Sequence, residues 1–287
     1  MSLGKLFLVG TPIGNLSDIT LRALETLKTV DMIAAEDTRQ TLKLLNHFSI
    51  KKPLISYHKY NETERGNEII SKLREGINVA LVTDAGMPGI SDPGSVVTEK
   101  CIEEGIDFEV IPGATAVITA LVHSGLDTTS FIFKGFIPRE NKERREFLED
   151  LKDRQETLIF YEAPHRLKKT LEFLKENLGN RRISICRELT KLHEEILRFT
   201  LEESIAYYEE KLPKGEFVLI LEGKNKAEAE KEKMELWEYI SIEEHIKKYI
   251  EEGISKKEAI KKVAKDRNMP KSEIYKHSLN LSDDYLP

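Results

Sequence analysis

Asp84-Ala85-Gly86-Met87-Pro88-Gly89-Ile90-Ser91-Asp92-Pro93-Gly94 follows directly on Val79-Ala80-Leu81-Val82-Thr83. The apolar run reads as a buried strand. Three glycines and two prolines in the eleven residues after it exclude a strand or helix interior. Glycine also lets backbone come close to a ligand, because no side chain intervenes. Ser95 to Glu104 then reads as a helix with Ser95 as its cap. A strand, a long glycine loop and a helix place a ligand at the carboxyl end of a central strand, where open α/β sheets bind them. Asp84 and Asp92 add negative charge there.

The flanking sequence repeats the pattern. Strands are expected over Lys5–Val9, Met32–Ala35, Leu54–Tyr57 and Phe108–Ile111. Helices are expected from Leu21 to Val30, through Leu42, Leu45 and Phe48, from Glu62 to Glu75, and through Val117 to Ser124. Five alternations of strand and helix predict a largely parallel α/β sheet. The strand ends carry distinctive residues. Gly10-Thr11-Pro12-Ile13-Gly14 follows the first strand; its spacing is not the G-x-G-x-x-G of dinucleotide sites, and Pro12 lacks a backbone donor. Glu36-Asp37-Thr38-Arg39 follows the second strand and reads either as catalytic or as a capped helix start. Pro112-Gly113-Ala114-Thr115-Ala116 opens a helix with small residues, which exposes N–H groups to a ligand or permits close packing.

Gly125 to Thr129 reads as a linker to a second α/β unit. Its strands are expected at Phe131–Phe136, Thr157–Tyr161, Ile183–Cys186, Glu195–Thr200 and Phe217–Glu222, with helices from Lys142 to Arg154 and Leu201 to Lys211. Glu162 and Arg187-Glu188 end strands there and either face a cleft or, for the latter, form a structural ion pair. The predicted organisation is an α/β domain over 1–125, a second over 126–224, and a helical extension over 225–287.

That extension begins with a charged run, Lys224 to Lys233, read as a solvated helix or linker. Three short helices follow, and the turn Asn268-Met269-Pro270 gives a helix-turn-helix pattern. Lys256, Lys257, Lys261, Lys262 and Lys271 lie in a locally basic stretch of a chain whose net charge is −6. Such a stretch suits nucleic-acid phosphate. Its plainer alternative is a solvated bundle.

The length of 287 residues suits two domains with an appendage. Cys101 and Cys186 stand apart and form no C-x-x-C pair, and no His/Cys/Asp spacing suits a metal. The apolar run Leu6-Phe7-Leu8-Val9 is too short for a signal or membrane span, so a cytoplasmic protein is expected.

Together, Val9 to Leu16, Ala35 to Arg39, Asp84 to Gly94, Ile111 to Ala114 and Tyr161-Glu162-Ala163-Pro164-His165-Arg166 resemble the tetrapyrrole methylase superfamily, in its branch that acts on small-subunit ribosomal RNA. Five motifs in one order are more specific than any single glycine loop. The resemblance implies methylation of a cytidine 2′-hydroxyl in 16S rRNA, within the 30S subunit. It implies S-adenosylmethionine as donor, bound between two α/β domains, and a homodimer. The cofactor residues expected on that basis are Ile13, Asp84, Ala85, Gly86, Gly113, Ala114, Thr115, Glu162 and Ala163. A general base would assist the transfer, and Glu36, Asp37, His58, Glu162 and His165 are all candidates. Two rival readings remain: a corrin-precursor methylase of the same fold, and a non-catalytic helix-turn-helix protein.

Overall fold

A computed structural model describes residues 2–225, 237, 239–279 and 281. Two compact units are formed, Met1–Glu149 with Glu156–Glu222, and Asp150–Gln155 with Gly223–Pro287. The first holds two five-stranded sheets.

The first sheet contains β1 (Leu6–Val9), β2 (Met32–Ala35), β3 (Leu54–Ser56), β4 (Val79–Val82) and β5 (Phe108–Ile111) in the order β3-β2-β4-β1-β5. Every pairing is parallel, so all five carboxyl ends share one edge. The period of two sorts the side chains. Leu6, Leu8, Val79 and Leu81 pack on one face with helices α3 (Glu62–Arg74) and α4 (Ser95–Glu103). Val9, Ala80 and Val82 pack on the other with α1 (Leu21–Thr29) and α2 (Thr38–His47). Burial on both faces explains why β4 is apolar throughout.

One helix start follows the capped-helix alternative of the sequence reading and another differs from it. Asp37 caps α2, accepting from the Arg39 backbone N–H at 2.8 Å. Ser95 is not a cap: the position belongs to Gly94, whose φ of 146° is closed to most side chains. The Gly94 N–H donates to Glu62 Oε1 at 3.1 Å instead.

α5 (Ala116–Ser124) leads to the second sheet, whose strands are β6 (Phe131–Phe136), β7 (Thr157–Glu162), β8 (Arg182–Arg187), β9 (Glu195–Thr200) and β10 (Phe217–Leu221). Their order is β6-β7-β10-β8-β9. Only β6 and β7 run parallel; the other pairings are antiparallel. Helices α6 (Asn141–Glu149), α7 (Leu167–Leu178) and α8 (Leu201–Glu210) complete the layer. α7 was absent from the sequence reading. Leu167, Leu171, Leu174 and Leu178 are buried along one of its faces at helical spacing. α8 opens with a capping box between Thr200 and Glu203.

In the second unit, α9 (Ile242–Glu251), α10 (Lys256–Asp266) and α11 (Lys271–Ser278) enclose Ile246, Ala259, Val263 and Ile274. The expected run Lys224 to Lys233 falls mostly outside the described residues. His245 is wholly buried, stacked on Trp237 with ring centroids 3.7 Å apart. Its Nδ1 accepts from Arg267 Nε at 3.2 Å, which requires that nitrogen unprotonated. Burial, with Arg267 adding repulsion, pushes the imidazole down to about 4. The unfolded chain therefore binds a proton that the folded unit refuses between about pH 6.5 and 4. Stability of this unit is expected to be full above pH 6.5 and to fall as pH drops toward 4. Fluorescence-monitored unfolding of Trp237, the sole tryptophan, reads it directly.

Candidate cofactor cavity and the groups around it

The loops at the carboxyl edge of the first sheet are keyed together by backbone. Thr11 N–H donates to Gly86 O at 2.9 Å and Gly86 N–H returns to Thr11 O at 3.1 Å. A Cβ on Gly113 would lie 2.9 Å from the Cα of Gly10. The loop after β1 also meets the second layer, with Asn15 N–H donating to Thr190 Oγ1 at 3.0 Å.

Between the two layers lies a cavity of about 630 Å³. Ile13, Ala85, Gly86, Met87, Ile90 and Asp92 line it from the first sheet's loops. Thr115, Ala116 and Val117 line it from the start of α5. The second layer adds Phe133, Phe136, Tyr161, Ala163 and Leu189 among others. The Tyr161 ring lies 5.0 Å from Phe133 and 5.7 Å from Phe136, centroid to centroid. Ser91, Glu188 and Thr190 hold left-handed φ of 63°, 51° and 63° in its surrounding loops. Such conformations are unfavourable for residues with a Cβ and persist where structure imposes them, often at binding sites.

Of the residues expected to hold a cofactor, Ile13, Ala85, Gly86, Thr115, Glu162 and Ala163 line this cavity. Asp84, Gly113 and Ala114 are not in its lining. Gly113 sets the approach of two loops. Asp84 Oδ1 accepts from the Asp37 N–H at 3.1 Å, and Asp84 N–H donates to Glu36 Oε2 at 3.3 Å. Burial raises both Glu36 and Asp84 above the ordinary carboxylate range.

The candidate bases occupy separate places. Asp37 is a helix cap, and its hydrogen bonds to Arg39 hold it down to about 2. His58 sits in the turn after β3, where its backbone N–H donates to Asn61 Oδ1 at 2.8 Å. His165 is exposed on the turn before α7. Glu36, Asp37, His58 and His165 are outside the cavity lining. The Glu162 carboxylate is fully buried and engaged: Oε1 accepts from Ala163 N–H at 2.8 Å, Oε2 from Thr170 Oγ1 at 2.5 Å, and Arg166 Nε lies 3.4 Å away. Arg187 pairs with Glu195 at 3.1 Å, which answers the structural alternative for that residue.

Asp92, visible in the sequence only as a charge in the glycine loop, lines the cavity and is half-buried. Among the described residues no hydrogen bond or ion pair reaches its carboxylate. Desolvation, with Glu36 and Asp84 adding repulsion, pushes it up to about 6.

The cavity's donor set suits S-adenosylmethionine. α5 begins at the cavity without a side-chain cap on its first N–H groups, which suits a carboxylate. Gly86, at φ 88°, leaves a cradle whose Cβ position would lie 3.5 Å from Ile13 Cγ2 and 3.7 Å from Ala114 O. Five aromatic side chains in the lining, Phe131, Phe133, Phe136, Tyr161 and Phe217, with the Asp92 carboxylate, suit a cation. Among the described residues, no three His, Cys, Asp or Glu side chains are grouped to hold a metal ion, and no helix is long and apolar enough to cross a membrane.

In the second unit Lys257, Lys261, Lys262 and Lys271 are exposed, and Lys256, one turn before Ala259 and Ile260 on the packed face, is half-buried. Lys262 Nζ lies 5.1 Å from the Tyr249 ring centroid.

Comparison with known proteins places these features. The chain is 56% identical over 272 residues to ribosomal RNA small subunit methyltransferase I of Halalkalibacterium halodurans, covering 95% of this chain and 93% of that relative. It is 51% identical to the protein of the same name from Bacillus subtilis, covering 95% and 93%. In fold alone it is similar to a diphthine synthase, with a TM-score of 0.61 at 15% identity over 77% of this chain and 91% of that one. A uroporphyrin-III-C-methyltransferase from Thermus thermophilus gives a TM-score of 0.55 at 23% identity over 76% and 94%. The sequence profile of the Tetrapyrrole (Corrin/Porphyrin) Methylases matches residues 5–205, and with relatives of this identity along nearly its whole length the chain belongs to the tetrapyrrole methylase family.

Proposed function

We propose that this methyltransferase uses S-adenosylmethionine to methylate the ribose 2′-hydroxyl of a cytidine in 16S ribosomal RNA, with the assembled small subunit as substrate. The observation that carries the reading is the cavity between the sheets, which combines an uncapped helix start, a glycine cradle and an aromatic wall. The names of relatives that match 95% of this chain, tail included, support ribosomal RNA over a corrin precursor.

The cofactor supplies an electrophilic methyl group on a sulfonium. The α5 N–H groups bind its carboxylate end, and Ile13, Gly86 and Ala163 shape the space around the rest. Phe133, Phe136 and Tyr161 exclude water and favour positive charge. Fixing the ribose oxygen in line with the methyl carbon supplies much of the acceleration. The Glu162–Thr170–Arg166 network holds the Ala163 turn and acts as support.

The division at 1–125, 126–224 and 225–287 belongs to the same proposal: the two α/β parts form the cavity and the lysine-bearing extension docks RNA. Exposed Val122 on α5, with the edge position of strand β6, supports a homodimer, which sedimentation would detect. A cytoplasmic location follows from the proposed substrate. With tritiated donor, label is expected in assembled 30S subunits and far less in naked 16S rRNA. Equal labelling of naked rRNA would remove the subunit from the proposal.

A further inference from the structure

We infer that a second pocket, at the carboxyl end of α8, is a phosphate subsite that holds a backbone phosphate of the RNA outside the methyl-transfer cavity. The inference rests on the ribosomal RNA reading above.

The pocket encloses about 150 Å³. Arg187 and Glu195 enter it from the end of β8 and the start of β9. Tyr207 and Tyr208 enter from the last turn of α8, and Lys211 and Lys214 from the segment that follows. Successive residues of a strand face opposite sides of a sheet. Cys186 lines the cofactor cavity, so Arg187 faces the other side, toward α8. Arg187 is also in register with Phe217, which lines the cavity at the same strand ends. Neighbouring strands lie about 5 Å apart. An RNA strand with its ribose in the cavity thus passes the pocket within a few nucleotides.

The charge and the donors fit phosphate. Three cations in the lining face one acid, Glu195, and that acid is engaged. Its Oε2 accepts from Arg187 Nε at 3.1 Å and its Oε1 from the Tyr207 hydroxyl at 3.5 Å. Lys211 donates to the Tyr207 oxygen, a bond that raises Lys211 and keeps it charged. Among the described residues Arg187 gives only Nε to a partner, and Lys214 forms no hydrogen bond or ion pair.

Tyr208 points to a ligand. The residue is 3% exposed, and its hydroxyl is buried without a hydrogen-bond partner. Burial raises the phenol, with Glu195 and Tyr207 adding to the rise and Arg187 opposing it. The hydroxyl therefore lies among the pocket's own charged groups and stays a donor. A buried donor without a partner is destabilising and calls for an acceptor. The rings are not free for a base: Tyr207 packs against Phe199 at 5.3 Å, and Tyr208 meets Tyr207 at 5.0 Å and Phe217 at 6.2 Å, centroid to centroid. A phosphodiester offers acceptor oxygens to a hydroxyl, a guanidinium and two ammonium groups at once.

The test uses full-length wild type, Y208F and the pair K211A/K214A. Y208F removes the hydroxyl and keeps the ring. Inorganic phosphate is the first probe. At fixed ionic strength, replacing chloride by phosphate should raise the wild-type Tm and raise it less in both variants. In chloride alone Y208F should keep or raise Tm, because an unsatisfied group is gone. A hydroxyl needed for packing would lower it.

Binding to 30S subunits is the second readout. Y208F should weaken it by about tenfold, as expected for one hydrogen bond to a charged group. K211A/K214A should flatten the slope of log K against log salt by about 0.7–0.9, the value for one phosphate contact. Donor affinity should stay at the wild-type value in both, which separates this pocket from the cavity.

Wild-type subunit affinity and salt slope in both variants overturn the assignment; a phosphate effect on Tm that persists beside them gives the pocket to a free phosphate. Weaker binding to 30S subunits with unchanged binding to naked 16S rRNA gives it to an acidic side chain of a subunit protein and overturns the assignment too. Wild type that binds neither subunits nor rRNA overturns the RNA reading, and this proposal falls with it.

Discussion

Valine at Gly113 is expected to lower S-adenosylmethionine affinity by roughly ten- to hundredfold. The cause lies in the backbone. A Cβ there would sit 2.9 Å from both Cα and C of Gly10, and 3.0 Å from its carbonyl oxygen. No rotamer change relieves contact with main chain. The loops after β1 and β5 must then separate, and both carry cavity residues, Ile13 on one and Thr115 on the other. Overpacking of this kind costs about 1–3 kcal/mol, and every 1.4 kcal/mol taken from binding is about tenfold. The sequence reading expected Gly113 to give a ligand close access to backbone. The structure gives the glycine a different partner, the Gly10 loop. Alanine should therefore act nearly as strongly as valine, since the Cβ alone makes the clash. Gly66→Ala is the control. It lies inside α3, and its Cβ would meet only Lys100 side-chain carbons at 3.7 and 3.8 Å. Alanine there should add up to about 1 kcal/mol of stability with donor affinity unchanged. Calorimetry beside thermal unfolding checks both variants. Wild-type affinity in G113V would show that the cavity does not depend on the keyed loops.

The second large effect is expected from changing Lys256, Lys257, Lys261 and Lys262 together to alanine. Ala259, Ile260, Val263 and Ala264 are the buried residues of α10, whereas Lys257, Lys261 and Lys262 are exposed and are not needed to pack the three helices; Lys256 is half-buried on the packed side. Among the described residues Lys256, Lys257 and Lys261 form no ion pair, and Lys262 touches only the Tyr249 ring. Each phosphate contact releases counterions, so log K falls with log salt by about 0.7–0.9 per contact. Four lost contacts should flatten the slope for 30S binding by about 3. Donor affinity should not change. Removal of the residues after Lys233 should weaken subunit binding further and still leave donor binding intact. Lower Tm with the wild-type salt slope would instead give these lysines a packing role.

Much of this fold could be read from residues. The all-apolar Val79–Val82 run and its glycine loop reported a central parallel strand because burial on both faces leaves no alternation to mistake. Strand-end logic also brought Ile13, Gly86 and Thr115 to one cavity, since the parallel strands of the first sheet deliver their loops to one edge; Ala163 reaches it from the second sheet. The missed α7 had its signal in Leu167, Leu171, Leu174 and Leu178, hidden between strands by the charged residues among them. The Ser95 cap failed because Gly94 takes a φ of 146° that the residue type allows but does not announce. Glu162 and Asp92 show the limit most clearly. Both are acids next to turn residues in sequence. Only the fold shows that one is bonded on both oxygens and the other on neither. The aromatic wall is similar, because Phe133 and Tyr161 meet the first sheet's loops through packing of two layers.

The most direct measurement is nucleoside mass spectrometry of 16S rRNA from 30S subunits incubated with this protein and methyl-labelled S-adenosylmethionine. The account predicts label in a single 2′-O-methylcytidine. Label on a base carbon or nitrogen, or transfer to a tetrapyrrole in place of the subunit, would contradict it.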